Sequence, residues 1–245
     1  MKKIIVLLMG IVLIIFAFYQ YNKKDYAAKS TNLYVENFKG ENDSIKIQSA
    51  INKAESSKIK TVLLDDKKYK ITSPIIVKKG VKLLFGYGSQ FVVEGNFRVL
   101  ELEKNASIEG AYITIDDPKF NSEVIYLDGK NKYYNTWNKT QIKDINIINW
   151  TETNKGTGIS LYSAGKENEI SFVNFENIKV VGMETGLKLV AKKPSTGQAW
   201  INAINKIKHE NELIELTDKS MNTVVEISSV PANRVLDSGR SNIVK

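Results

Sequence analysis

The chain has no cysteine, one histidine and three arginines in 245 residues. Without cysteine there are no disulfides, no thiolate metal sites and no cysteine nucleophile. A single imidazole, His209, rules out zinc sites and catalytic arrangements that need two. Arg98, Arg234 and Arg240 are too few for the bidentate contacts that read bases and phosphates, so no specific nucleic-acid partner is expected. Only four prolines occur and low-complexity tracts are lacking, which argues against a long disordered tail. What is present suits a packed fold: 42% hydrophobic and 25% charged residues, in a length that fits one large domain or two small ones, plus a short leader. The net charge of +8 rests almost wholly on lysine and attracts polyanions without sequence reading.

The first 22 residues read as a signal peptide or signal anchor. Lys2 and Lys3 precede residues 4–19, which carry no charge, and Tyr19 and Tyr21 form an interfacial belt. Sixteen apolar residues can just cross a bilayer. The charge bias places the rest outside the cytoplasm, at the cell surface or beyond it. Ala27-Ala28 follows Tyr26 and makes a poor cleavage site, so an uncleaved plasma-membrane anchor fits better than a removed peptide. Residues 23–40 read as a linker with a short strand near Leu33–Val35.

One helix is expected at about 44–56. Asn42, Asp43 and Ser44 offer N-caps, and Ile47, Ala50, Ile51 and Ala54 form one apolar stripe. From Thr61 onward the period changes. Short Ile- and Val-rich runs alternate in and out, separated by Gly, Asn, Asp and Lys, which predicts an all-β domain over 41–245. Hairpins would need two-residue turns; Asp128-Gly129 and Gly95-Asn96 could be such turns, but few others exist. A coiled chain of stacked short strands predicts repeats of 20–30 residues instead. Gly158–Leu161 and Gly186–Leu189 start 28 residues apart, and Leu187 and Ile214 are 27 apart. Val224–Ile227 shows the same alternation. Asparagines 146, 149, 174, 177, 202 and 205 are candidates for side-chain ladders at turns, where Asn tolerates left-handed backbone.

Specific residues carry a resemblance. Gly40, Asp43, Ser44, Ile47, Gln48, Ala50 and Ile51 match the opening of the pectate-lyase-like superfamily, where a Gly-Asp motif leads into a helix reading Ile-Gln-x-Ala-Ile. Thr61–Leu64, Tyr69–Ile71, Pro74–Val77 and Gly80–Ser89 resemble that family's first turns. The resemblance implies a single-stranded right-handed parallel β-helix with an N-terminal capping helix and about seven turns of roughly 25 residues each. It implies an exported protein that acts on, or binds, an anionic polysaccharide or cell-wall glycopolymer, as lyase, hydrolase or epimerase. No cofactor follows from it, and Ca²⁺ only for a lyase. Tail-spike members are often trimers, so it implies a homotrimer, although no heptad is present to drive one.

The polygalacturonase pattern is absent: His209 is not flanked by glycines, and Arg-Ile-Lys does not occur. The pectate-lyase arginine base also lacks an evident counterpart. Asp116 and Asp117 at a strand end, Asp144 within a strand and Glu184 before one remain as catalytic candidates by elimination, since carboxylates can serve as general acid and base. For each, a solvated turn acid is the alternative. Residues 129–139 interrupt the strand rhythm with Tyr133, Tyr134 and Trp137 among Lys130, Lys132 and Lys139. Rings stack on sugar faces and ammonium groups pair with uronates, so Tyr133, Tyr134, Trp137, Trp150, Lys132 and Lys139 are candidate substrate contacts. Packing against the coil is the alternative for the rings. An enzyme and a non-catalytic glycan-binding or surface-structural protein both remain open at this point.

Overall fold

The computed structural model describes residues 31–133, 140–164, 168, 170–171, 173–192, 199–200, 204–210, 213–216, 224–228, 235–238 and 243–244. The leader at 1–22 lies outside them. Among the described residues no helix is long and apolar enough to cross a membrane.

Strand β1 (Asn32–Tyr34) and a 3-10 turn (Val35–Asn37) lead to helix α1 (Asp43–Ser56). Then follow β2 (Thr61–Leu64), β3 (Lys68–Ile71), β4 (Ile75–Val77), β5 (Lys82–Phe85), β6 (Gln90–Val93) and β7 (Leu100–Leu102). After them come β8 (Ser107–Glu109), β9 (Tyr112–Ile115), β10 (Glu123–Asp128), β11 (Thr140–Asn149), β12 (Thr157–Ala164), β13 (Ile170–Ser171) and β14 (Val173–Val181). The last are β15 (Thr185–Lys192), β16 (Ala199–Trp200), β17 (Ile204–Glu210), β18 (Leu213–Leu216), β19 (Val224–Ser228), β20 (Val235–Asp237) and β21 (Ile243–Val244).

The fold is mostly β, and every ladder between these strands is parallel. Asp128-Gly129 and Gly95-Asn96 therefore close no hairpin; Gly129 instead opens a 3-10 turn capped by the Asp128 carboxylate. In the first turns the chain visits three strand positions in a fixed cycle. β2, β5 and β8 stack in one ladder, β3, β6 and β9 in a second, and β4, β7 and β10 in a third. Matched residues lie 21 apart at Thr61 and Lys82, 25 at Lys82 and Ser107, and 34 at Ile108 and Ile142. The repeat is thus uneven, because the segment after β10 inserts residues between turns.

Alternation explains the core. Inward residues of successive strands stack directly on one another: Val62, Leu83, Ile108 and Ile142 in one column, Ile75, Leu100, Ile125, Ile159 and Leu187 in another. All nine are buried. Each such side chain contributes roughly 1.5–3 kcal/mol by leaving water. The 28-residue spacing is a true register, since Thr157 pairs with Thr185, and so is that of Leu187 with Ile214. Val224–Ile227 belongs elsewhere. It lies in β19 and pairs with β17 and β21, whereas β18 pairs with β15 and β20. Identical alternation cannot tell the two sheets apart.

Helix α1 covers the exposed edges of the first turn. Asn42 caps it, its side chain accepting from Ile45 N at 2.9 Å. Ile47, Ala50, Ile51 and Ala54 are buried as the stripe requires. The polar residues of the same face supply the partners that edge strands lack. The Asp43 carboxylate accepts from Lys70 N at 2.9 Å on β3, and Ser44 Oγ from Thr72 N at 3.0 Å. Gln48 accepts from Ile76 N at 2.7 Å on β4 and donates to Ile76 O at 3.1 Å.

Corners are made by left-handed residues that stack. Gly110 (φ 75°), Asp144 (φ 54°) and Asn177 (φ 53°) occupy one corner on three successive turns. Asn177 Nδ2 donates to Asp144 Oδ1 at 2.8 Å. The ladder is therefore Asp on Asn, and Asn146 takes no part: it sits in a straight segment opposite Lys179. Before this corner β11 pairs with β8, and after it with β9, so one strand serves two faces.

Candidate functional site

β9 ends at Ile115 and β11 at Asn149, which are register partners on adjacent turns. The residues that follow each strand are therefore stacked. Trp150 N donates to Ile115 O at 3.2 Å, and Asp116 N to Val93 O at 3.2 Å. Asp116 and Trp150 consequently sit one strand spacing apart, about 4.8 Å along the stack. Together with Thr151 they line an open depression of about 590 Å³. Trp150 is 61% exposed, so its indole face is available to a ligand.

The loop behind the depression is fixed by one side chain. Asn149 is buried, and its Oδ1 accepts from Thr151 N at 2.9 Å and Thr151 Oγ1 at 2.6 Å. Its amide donates to Lys155 O at 3.4 Å, and Thr151 Oγ1 also meets Thr153 Oγ1 at 2.8 Å. Such prior ordering lowers the entropy lost on binding.

The expected catalytic acids have different fates. Asp116 is exposed at the depression. Asp117 holds its own turn: Oδ1 accepts from Lys119 N at 2.8 Å. Asp144 shapes the corner described above. Glu184 is exposed beside Gly156, to whose carbonyl its N–H donates at 3.1 Å, and does not line the depression. Of the expected substrate contacts, Trp150 joins Asp116. Tyr133 is fully buried; its hydroxyl donates to Leu102 O, and burial raises its pKa. Its ring thus offers no face to a sugar. Lys132 has left-handed backbone (φ 53°) at the end of the 3-10 turn after β10. Tyr134, Trp137 and Lys139 lie outside the described residues.

A second group of charged side chains was not legible in the sequence. On the outer face of β10, the Arg98 guanidinium stacks 3.8 Å over the Tyr126 ring and pairs with Glu123 at 3.2 Å. Lys130 bridges Glu101 at 3.2 Å and Asp128 at 3.4 Å. Tyr126 points outward yet is buried under these neighbours, and that burial raises its hydroxyl pKa. Alternation alone marks Glu101 and Tyr126 as outward. Only the register, which pairs Tyr126 with Glu101, brings the group together.

Turn-to-turn pairing also engages four of the lysines. Lys70 meets Glu94 at 2.6 Å, Lys78 meets Glu103 at 2.9 Å, Lys82 meets Glu109 at 2.5 Å and Lys143 meets Glu176 at 3.3 Å. Exposed pairs of this kind add little stability, but they cancel charge locally. Among the described residues no group of three or more His, Asp or Glu is arranged to hold a metal. No protein-family model matches the chain, and no curated protein or solved structure matches it.

Proposed function

We propose that the chain is an exported glycan-binding protein built on a right-handed parallel β-helix, held at the cell surface by residues 4–19. The cyclic visits to three strand positions, the parallel ladders and the stacked left-handed corners support the coil. The right hand follows from the twist of parallel crossovers. The exposed indole of Trp150 beside the exposed carboxylate of Asp116 carries the functional reading. A sugar ring can lay its C–H face on the indole while Asp116 and Thr151 meet its hydroxyls.

Binding is favoured over turnover by the disposition of the acids. Glycoside hydrolysis needs two carboxylates facing each other across the scissile bond. Asp117 and Asp144 are occupied in holding backbone and corner, which leaves Asp116 as the one acid among the described residues that line the depression. The test is retention of the full chain on immobilised wall polysaccharides. Retention that Trp150→Ala removes supports the reading. Equal retention of both forms would move the site elsewhere, and depolymerisation of any polymer would restore the enzyme reading.

A further inference from the structure

We infer that the depression between β9 and β11 prefers a sugar bearing a free amine over a uronate. The inference rests on the glycan-binding reading and concerns the charge of the ligand. The overall charge of +8 suggests an acidic polymer, but the site itself has the opposite sign. Among the described residues that line it, the one charged group is the Asp116 carboxylate. Among the described residues this carboxylate has no ion-pair partner, although it is exposed. Lys119, three residues after Asp116, and Lys155, four after Thr151, do not line the depression.

The chemistry of the pair is complementary to an ammonium group on a sugar. A ring stacked on Trp150 places its substituents one strand spacing away, at Asp116. An ammonium there gains a charge-assisted hydrogen bond from the carboxylate and the attraction of the indole face. A uronate carboxylate in the same place meets like charge, with no cation among the described lining residues to offset it. Acetylating the amine removes the charge while keeping the ring, so a free amino sugar and its N-acetyl form separate stacking from charge recognition.

The experiment is calorimetric titration of the full chain in mild detergent with three oligosaccharides: glucosamine oligomers, their N-acetylated counterparts and oligogalacturonate. Binding of the free-amine oligomer at least roughly tenfold tighter than the N-acetylated one is expected. Asp116→Asn, which keeps a hydrogen-bonding side chain and removes its charge, should bring the affinities for the free-amine and N-acetylated oligomers to within about twofold of each other. Equal affinity for the amine and acetyl forms, tighter binding of oligogalacturonate, or a ratio that survives Asp116→Asn overturns the amine preference and leaves glycan binding standing. Failure of all three ligands to bind overturns both.

Discussion

Gln48 and Ile76 exchange two hydrogen bonds across 28 residues, the side-chain amide of the helix standing in for a missing strand. The amide presents an acceptor at 2.7 Å and a donor at 3.1 Å, as a neighbouring peptide unit would. This gives Gln48 in the Ile-Gln-x-Ala-Ile motif a physical reason: it terminates an open sheet edge from above. Gln48→Leu leaves both main-chain groups of Ile76 unpaired under the helix. The expected cost is about 1–3 kcal/mol. A lower urea midpoint with unchanged slope would show it.

Glu36 ties the first turn to the helix. Its carboxylate meets Lys67 at 2.7 Å and Lys46 at 3.3 Å, and accepts from the Tyr69 hydroxyl at 3.4 Å. The Lys67 bond, more than any other influence, holds its pKa below the ordinary glutamate value, against the opposing effect of burial. The folded pKa thus lies below the unfolded one. The stabilisation is full above the unfolded value of about 4.3 and fades as pH falls through the folded value. Glu36→Gln should cost at most about 1 kcal/mol at neutral pH, because the pair is partly exposed. It should also flatten the loss of stability below about pH 4, as read by thermal melts against pH.

Asn177 should invert the usual order of substitutions in a strand. Its φ of 53° is strained for residues with a Cβ that lack a local polar partner. Asn177→Ala loses the bond to Asp144 and keeps the strain, whereas Asn177→Gly loses the bond and relieves it. Glycine is therefore expected to be less damaging than alanine by roughly 1 kcal/mol. Chemical denaturation of the two variants decides the order.

The inward columns were legible where a strand alternates, because alternation needs no knowledge of the partner: Ile159, Leu161, Leu187 and Leu189 could be placed inside from their own strands. The helix stripe was legible for the same local reason. The corner at Asp144 was ambiguous because the left-handed residue breaks parity. Ile142, Ile145 and Ile147 all point inward, although 142 and 145 have opposite parity. Groups assembled across turns were hidden. Arg98 with Tyr126, Lys130 with Glu101, and Asp116 with Trp150 are joined by registers of 25 to 34 residues that vary from turn to turn. Tyr133 is a candidate contact from sequence because its segment breaks the rhythm, with packing against the coil as the alternative; the packing alternative holds, since the ring is buried and its hydroxyl donates to Leu102 O.

The most direct test of a glycan stacked on Trp150 uses the full chain labelled with 5-fluorotryptophan. The Trp150 fluorine resonance is assigned by its loss in Trp150→Phe. Glycan binding at the depression predicts that this resonance shifts on titration with a bound oligosaccharide and that Asp116→Ala weakens the shift. A saturated complex in which the Trp150 resonance stays in place would contradict it.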